Sequence, residues 1–189
     1  MHKSLLTVAA LAALLSTNAM AQNALPTYGE IATANITLKD LSSNNLGTFK
    51  PRATRITLGQ VVSPSVAVEE FAYVGSSTPS LDATLNGVST NVSKKQNNLY
   101  GVALRPFVNV TESLELFARL GIAREEITTT KLSLGQSQAT TNTATNQFYS
   151  AGASYSFNRT VKATVDYSRF GNKVDTQLSN LSLGLRFNF

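Results

Sequence analysis

Residues 181–189 read LSLGLRFNF. Leu181, Leu183, Leu185, Phe187 and Phe189 fall on alternate positions, separated by Ser182, Gly184, Arg186 and Asn188. Successive strand side chains point to opposite faces, so this spelling predicts a strand with one apolar and one small, polar face. The same period recurs upstream. Val161, Ala163, Val165 and Tyr167 alternate with Lys162, Thr164, Asp166 and Ser168. Tyr149, Ala151, Ala153, Tyr155 and Phe157 alternate with Ser150, Gly152, Ser154 and Ser156. Leu114, Leu116, Ala118, Leu120 and Ile122 alternate with Glu115, Phe117, Arg119 and Gly121, and Tyr100, Val102 and Leu104 with Gly101, Ala103 and Arg105.

Three earlier segments follow the period less cleanly. In residues 54–62, Ile56 and Leu58 alternate with Arg55, Thr57 and Gly59. Residues 66–76 set Val66, Val68, Ala72 and Val74 on one face, with Glu70 among them. A β-bulge near Glu69 and Glu70 would restore the register. In residues 28–39, Ala32, Ala34, Ile36 and Leu38 share a face with Glu30. The pattern amounts to eight strands and no helix.

Tight connections at residues 63–65, 109–113 and 158–160 alternate with longer ones at about 40–51, 78–97, 128–145 and 172–176. That order predicts an up-and-down antiparallel barrel with short turns at one rim and long Ser/Thr/Asn-rich loops at the other. Asn86-Gly87 between Leu85 and Val88 has the composition of a type I′ hairpin tip, so the second loop is expected to continue as strands.

A soluble barrel hides its apolar face, whereas a membrane barrel turns it to lipid. The less apolar face decides for membrane. It is largely Gly, Ser, Thr and Ala, small enough for the interior of eight strands. It also carries charges of both signs: Arg55, Glu69, Arg105, Glu115, Arg119, Lys162, Asp166 and Arg186. Inside a barrel they neutralise one another, whereas on lipid a mid-depth cation costs roughly 2–4 kcal/mol. Two readings of these interior charges stand: a salt-bridged plug, and a narrow conduit lined by Arg55, Arg105, Arg119 and Arg186. The width of eight strands favours the plug. Phe107, Phe157, Phe187 and Phe189 are expected as an aromatic belt near the tight-turn rim, and Tyr73, Tyr100, Tyr149, Tyr167 and Phe170 near the other.

The chain has 189 residues, 42% of them apolar and only 14% charged. Met1-His2-Lys3 precedes an apolar run at residues 5–15, and Ala19-Met20-Ala21 has the small-x-small form of a cleavage site. Residues 1–21 are expected to be a secretory signal peptide cut after Ala21, leaving residues 22–189 as one domain. The run is too short for the ~20 residues of a spanning helix. Removing Lys3 lowers the formal charge from +5 to +4. It also removes His2, the only histidine, from a chain without cysteine or tryptophan. The longest basic run is Lys94-Lys95, which is no nucleic-acid footprint.

The ending Ser182-x-Gly184-x-x-Phe187-x-Phe189 resembles the sorting signal of bacterial outer-membrane barrels. The resemblance implies recognition by the Bam assembly machinery, with periplasmic chaperones on the way. Strand addition to an exposed edge supplies the physical logic. More widely, Ile56-Thr57-Leu58-Gly59-Gln60 with Ser65-Val66-Ala67-Val68-Glu69 resembles the second hairpin of the small outer-membrane β-barrel family, the OmpA/OmpX-like group of porin-family domains. LYGVAL at residues 99–104 with LELFARLG at 114–121 resembles its central hairpin. YSAGASY at 149–155, VDY at 165–167 and the closing LSLGLRFNF resemble its last three strands. Gln60 stands where that family commonly has an aromatic. The resemblance implies the outer membrane of a Gram-negative bacterium, with contact to lipid and lipopolysaccharide.

Enzymatic outer-membrane barrels rely on a histidine as general base or its partner, which the mature chain lacks. Glu69 with Glu70, and Glu125 with Glu126, are adjacent in sequence and so face opposite ways on a strand. No phosphate loop, dinucleotide fingerprint or metal-ligand spacing is present, and no cofactor is expected. The expected function is non-enzymatic: envelope integrity, adhesion or host contact through a surface ligand bound by the long loops. The alternative is a narrow channel for small or apolar solutes.

Overall fold

The computed structural model describes residues 26–41, 46–85, 87–171 and 176–189. Ala19 and Ala21 therefore lie outside the described residues. The elements are β1 (Thr27–Asp40), β2 (Thr48–Phe49), β3 (Arg52–Ser63), β4 (Val66–Val74), β5 (Ser80–Leu85), β6 (Val88–Asn109), β7 (Leu114–Ser133), β8 (Gln136–Ser156), β9 (Val161–Phe170) and β10 (Thr176–Asn188). The sheet runs β10-β9-β8-β7-β6-β4-β3-β1, every pair antiparallel. Pairing of β1 with β10, from Tyr28 opposite Asn188 to Asp40 opposite Thr176, closes the ring. Eight strands thus form the up-and-down barrel that the alternation predicts, with no open edge in its wall. Short β2 pairs with the end of β1, and β5 pairs with β6 outside the ring.

Side-chain chemistry shapes the tight turns. After β6, the Thr111 hydroxyl accepts from the backbone N–H of Leu114 at 2.9 Å. After β8, the Asn158 side-chain oxygen accepts from the N–H groups of Thr160 and Val161, each at 2.8 Å. Both are local side-chain caps of the kind that make Thr and Asn turn residues.

Three expectations need correction. No bulge interrupts Glu69 and Glu70: β4 pairs in continuous register through Phe71 opposite Thr57, Glu70 opposite Leu58 and Glu69 opposite Gly59. The register shift lies between Val61 and Ser63, beside the Pro64-Ser65 turn, so Glu70 stays on the outer face. Second, residues 128–145 are not a loop. They extend β7 and β8 into one hairpin, joined by Leu134 and Gly135 at φ 49° and 76°. Two central residues of positive φ make a primed turn, whose twist matches that of the strands. Residues 80–85 and 88–93 likewise form a hairpin around Gly87 (φ 79°); Asn86 lies outside the described residues. Above the ring, β5, β6, β7 and β8 therefore continue as a projecting sheet.

The third correction concerns the face of β1 and two of the expected belt aromatics. Ala32, Ala34, Ile36 and Leu38 are buried inside the barrel, and Thr33, Asn35 and Lys39 face outward. Tyr73 and Phe170 also point inward, 5% and 2% exposed, and join no belt. Tyr100, Tyr149, Tyr167, Phe157, Phe187 and Phe189 are exposed on the outside with Leu104, Leu120, Ile122, Val165 and Leu183.

Candidate functional site

Chemistry-bearing side chains converge in the lumen. In its lower part, toward the tight turns, the inward positions of seven strands supply charges. Arg55 on β3 holds Glu30 of β1 and Asp166 of β9, both at 2.6 Å. Arg119 on β7 pairs with Glu69 of β4, lies 3.4 Å from Glu30 and 3.0 Å from Asp166. Glu115 on β7 takes Arg105 of β6, Lys162 of β9 at 2.9 Å and Arg186 of β10 at 3.2 Å. Arg186 also reaches Glu30 at 3.4 Å. The Tyr28 hydroxyl donates to Glu69 at 2.6 Å. Guanidinium groups stack on rings: Arg105 is 4.1 Å and Arg119 4.5 Å from the centre of Phe117, and Arg186 is 4.3 Å from that of Tyr28.

The structure brings Arg55, Glu69, Arg105, Glu115, Arg119, Lys162, Asp166 and Arg186 into one connected network. It adds Glu30, which the sequence reading missed. The sequence held a signal for it: five cations against three carboxylates called for another acid on the inner face. With Glu30 the cluster has five cations and four carboxylates, and each carboxylate is shared by at least two cations. Such sharing offsets the large cost of withdrawing ions from water.

Above the network the lumen changes character. Ile36, Leu38, Phe49, Phe71, Leu99, Ile127, Phe148, Phe170 and Leu178 form a buried apolar core inside the ring. Phe71 meets Phe148 edge-on at 5.0 Å, and Phe148 stacks on Phe170 at 5.2 Å. Gly121 admits the Phe148 ring: a Cβ there would lie 2.8 Å from that ring and 2.0 Å from the Val102 carbonyl. Tyr73 accepts a hydrogen bond from the Asn180 side chain. Near the top an ion pair, Lys94 with Asp40 at 3.5 Å, is buried. At the seam between the two parts, a void of about 10 Å³ is lined by Arg55, Phe71, Tyr73, Arg119, Phe148 and Ser168. That is about the space of one water.

Glu125 is the exception among the buried acids. On β7 the outer face changes from Leu116, Leu120 and Ile122 to Arg124 and Glu126, so Glu125 stands above the lipid-facing band. It is 2% exposed, and among the described residues its carboxylate accepts one hydrogen bond, from Asn146 at 2.5 Å, leaving Oε2 without a partner there. Burial pushes its pKa up to about 7, against a smaller opposing effect of that hydrogen bond.

Of the residues in the closing motif, Ser182 points inward and donates to the Asn180 side chain at 2.7 Å. Gly184 packs against Ala32, where a Cβ would come within 2.6 Å. Phe187 and Phe189 lie outward at the rim. Among the described residues no group of three His, Cys, Asp or Glu side chains is placed to hold a metal ion.

The fold has close counterparts. Ail, the attachment invasion locus protein of Yersinia pestis, superposes with a TM-score of 0.61 at 16% identity, over 87% of this chain and 99% of that one. Neisserial surface protein A gives 0.55 at 15% identity, over 86% and 97%. A major outer membrane protein of Thermus thermophilus gives 0.55 at 7% identity, over 87% and 99%. No curated protein matches the chain. The model of the outer membrane protein beta-barrel domain matches residues 7–189. A closed barrel with an apolar outer band and a charged lumen, matched over nearly its whole length by that model, belongs to the outer membrane protein beta-barrel domain family and resides in the Gram-negative outer membrane.

Proposed function

We propose that the protein is a non-enzymatic scaffold that anchors a contact surface above the outer membrane. The observation that carries this reading is the projecting sheet of β5, β6, β7 and β8. Residues 136–147 of β8 pair with β7 alone, because β9 joins only from Phe148. Among the described residues the other edge of 136–146 has no strand partner, and it bears no charge and no proline to guard it. At the tip, Leu134 is 87% exposed and held at positive φ. A strained, exposed apolar residue at a hairpin tip fits a surface that contacts something else. The filled lumen supports anchoring over transport. The same reading includes export with removal of residues 1–21, chaperone-guided passage to the Bam machinery through the Ser182, Gly184, Phe187 and Phe189 motif, and rim contact with lipopolysaccharide. Ail has been crystallised with the heparin analogue sucrose octasulfate, which makes polyanionic glycans a first class of surface ligand to screen.

The test compares a deletion strain complemented by the full chain or by a variant with residues 128–142 replaced by a two-residue turn. Loss of binding to cells or glycan surfaces in the shortened variant, with its barrel still heat-modifiable on gels, is the expected result. Unchanged binding, or sustained single-channel openings of the purified barrel in planar bilayers, overturns the reading.

A further inference from the structure

Glu70 takes no part in the lumen. It lies on the outer face of β4, between Leu58 of β3 and Val102 of β6 in the strand register. Val68 and Ala72 flank it on its own strand. It makes no hydrogen bond or ion pair among the described residues. Four residues of rise from the turn at Val66, on strands tilted ~40°, put it about 10 Å above the periplasmic rim. A carboxylate there faces the inner leaflet, where an ionisable group is costly unless paired. It also opens onto a groove of about 110 Å³ on the wall, lined by Leu58, Gln60, Val68, Glu70, Val102 and Phe189.

We propose that this groove is a binding site for an inner-leaflet phospholipid with a primary ammonium headgroup, of the phosphatidylethanolamine class. Charge complementarity selects the occupant. Glu70 needs a cation with N–H donors, and an ammonium supplies both. The apolar walls of Leu58, Val68 and Val102 receive the first methylenes of the acyl chain. Among the described residues, a second copy of this chain presents no outer-face cation at the height of the site. On the outer face Lys39, Arg52, Arg124 and Arg169 lie toward the far rim, and Arg159 sits in a periplasmic turn. Anionic headgroups are repelled by the carboxylate. At the low dielectric of the membrane edge, the pairing exceeds that of an exposed ion pair.

Native mass spectrometry of the full refolded chain, released from vesicles of equimolar phosphatidylethanolamine and phosphatidylglycerol, reads the site. The wild type is expected to retain the ammonium lipid over the anionic one by on the order of fivefold, the ratio that about 1 kcal/mol produces. Glu70→Gln removes the charge and should bring that ratio to about one, with gel migration of the unboiled barrel unchanged. Val102→Phe fills the groove and should reduce retention of both lipids. Equal ratios in wild type and Glu70→Gln overturn the proposal. So does a change from dimer to monomer in Glu70→Gln, which would assign the groove to a second copy. Because the readout is lipid retention, its failure leaves the surface-contact reading untouched.

Discussion

The lower and upper parts of the lumen are built on opposite rules. Below, Arg55, Arg105, Arg119 and Arg186 interlock with four carboxylates, while Leu120, Ile122, Val165 and Leu183 face lipid outside. Above, Leu38, Phe49, Ile127 and Leu178 fill the interior, while Lys39 and Arg124 face outward. The first arrangement is that of a membrane barrel and the second that of a soluble one. The two faces exchange polarity along continuous strands, and β7 shows the exchange most plainly between Ile122 and Arg124. What sets a side chain's direction is therefore the medium outside the wall at that height. The lower packing depends on close pairing of charge. The upper depends on volume and the exclusion of water.

That contrast is open to direct attack. Glu30→Gln should be the most damaging change, because it strips a shared partner from Arg55, Arg119 and Arg186 at once. Removing one member of a buried ion network costs about 3–5 kcal/mol. Urea titration of the refolded barrel, read by the gel shift of unboiled samples, checks it; a loss below about 1 kcal/mol, the range of an exposed pair, would show that the network is well hydrated. Phe148→Ala should follow, at about 3 kcal/mol, as a ring that meets Phe71 edge-on and stacks on Phe170 leaves a cavity. A much smaller loss would mean that the upper core collapses onto the gap.

Glu125→Gln gives the finest distinction, since it acts through pH. The folded barrel favours the protonated acid and holds its pKa at about 7. An unfolded chain ionises it near about 4.3. Wild-type stability from this group is thus full below that lower value and declines as pH rises toward about 7. The glutamine variant does not titrate, so its advantage over wild type should grow between about pH 5 and about pH 8. A difference independent of pH refutes this account of Glu125.

The same exchange of polarity explains what the sequence disclosed. Strands whose described length lies mostly in lipid, such as β9 and β10, spell their faces without ambiguity. In β1 the inner face runs from Glu30 to Ile36 and Leu38, so a single rule of apolar outside reads it as confused. Glu70 is legible as an outward acid, but a bulge is the simpler expectation because an unpaired charge on lipid is costly. The β7–β8 hairpin stays hidden because Leu134-Gly135 lacks the Asn-Gly or Asp-Gly signature of a primed turn, and its Thr-rich flanks carry no hydrophobic period. The partners within the charge network follow from ring closure, which places β1 beside β10 and Glu30 within reach of Arg186, and local spacing does not contain that information.

The apolar cap above the bilayer has a consequence for how the protein enters its membrane. Hydrophobic condensation needs surrounding water, so this part of the chain gains its cohesion only after the strand tips have crossed to the far side. Once gathered there, Leu38, Phe49, Val92, Ile127 and Leu178 act like the upset head of a rivet, and retreat toward the periplasm would first require pulling them apart.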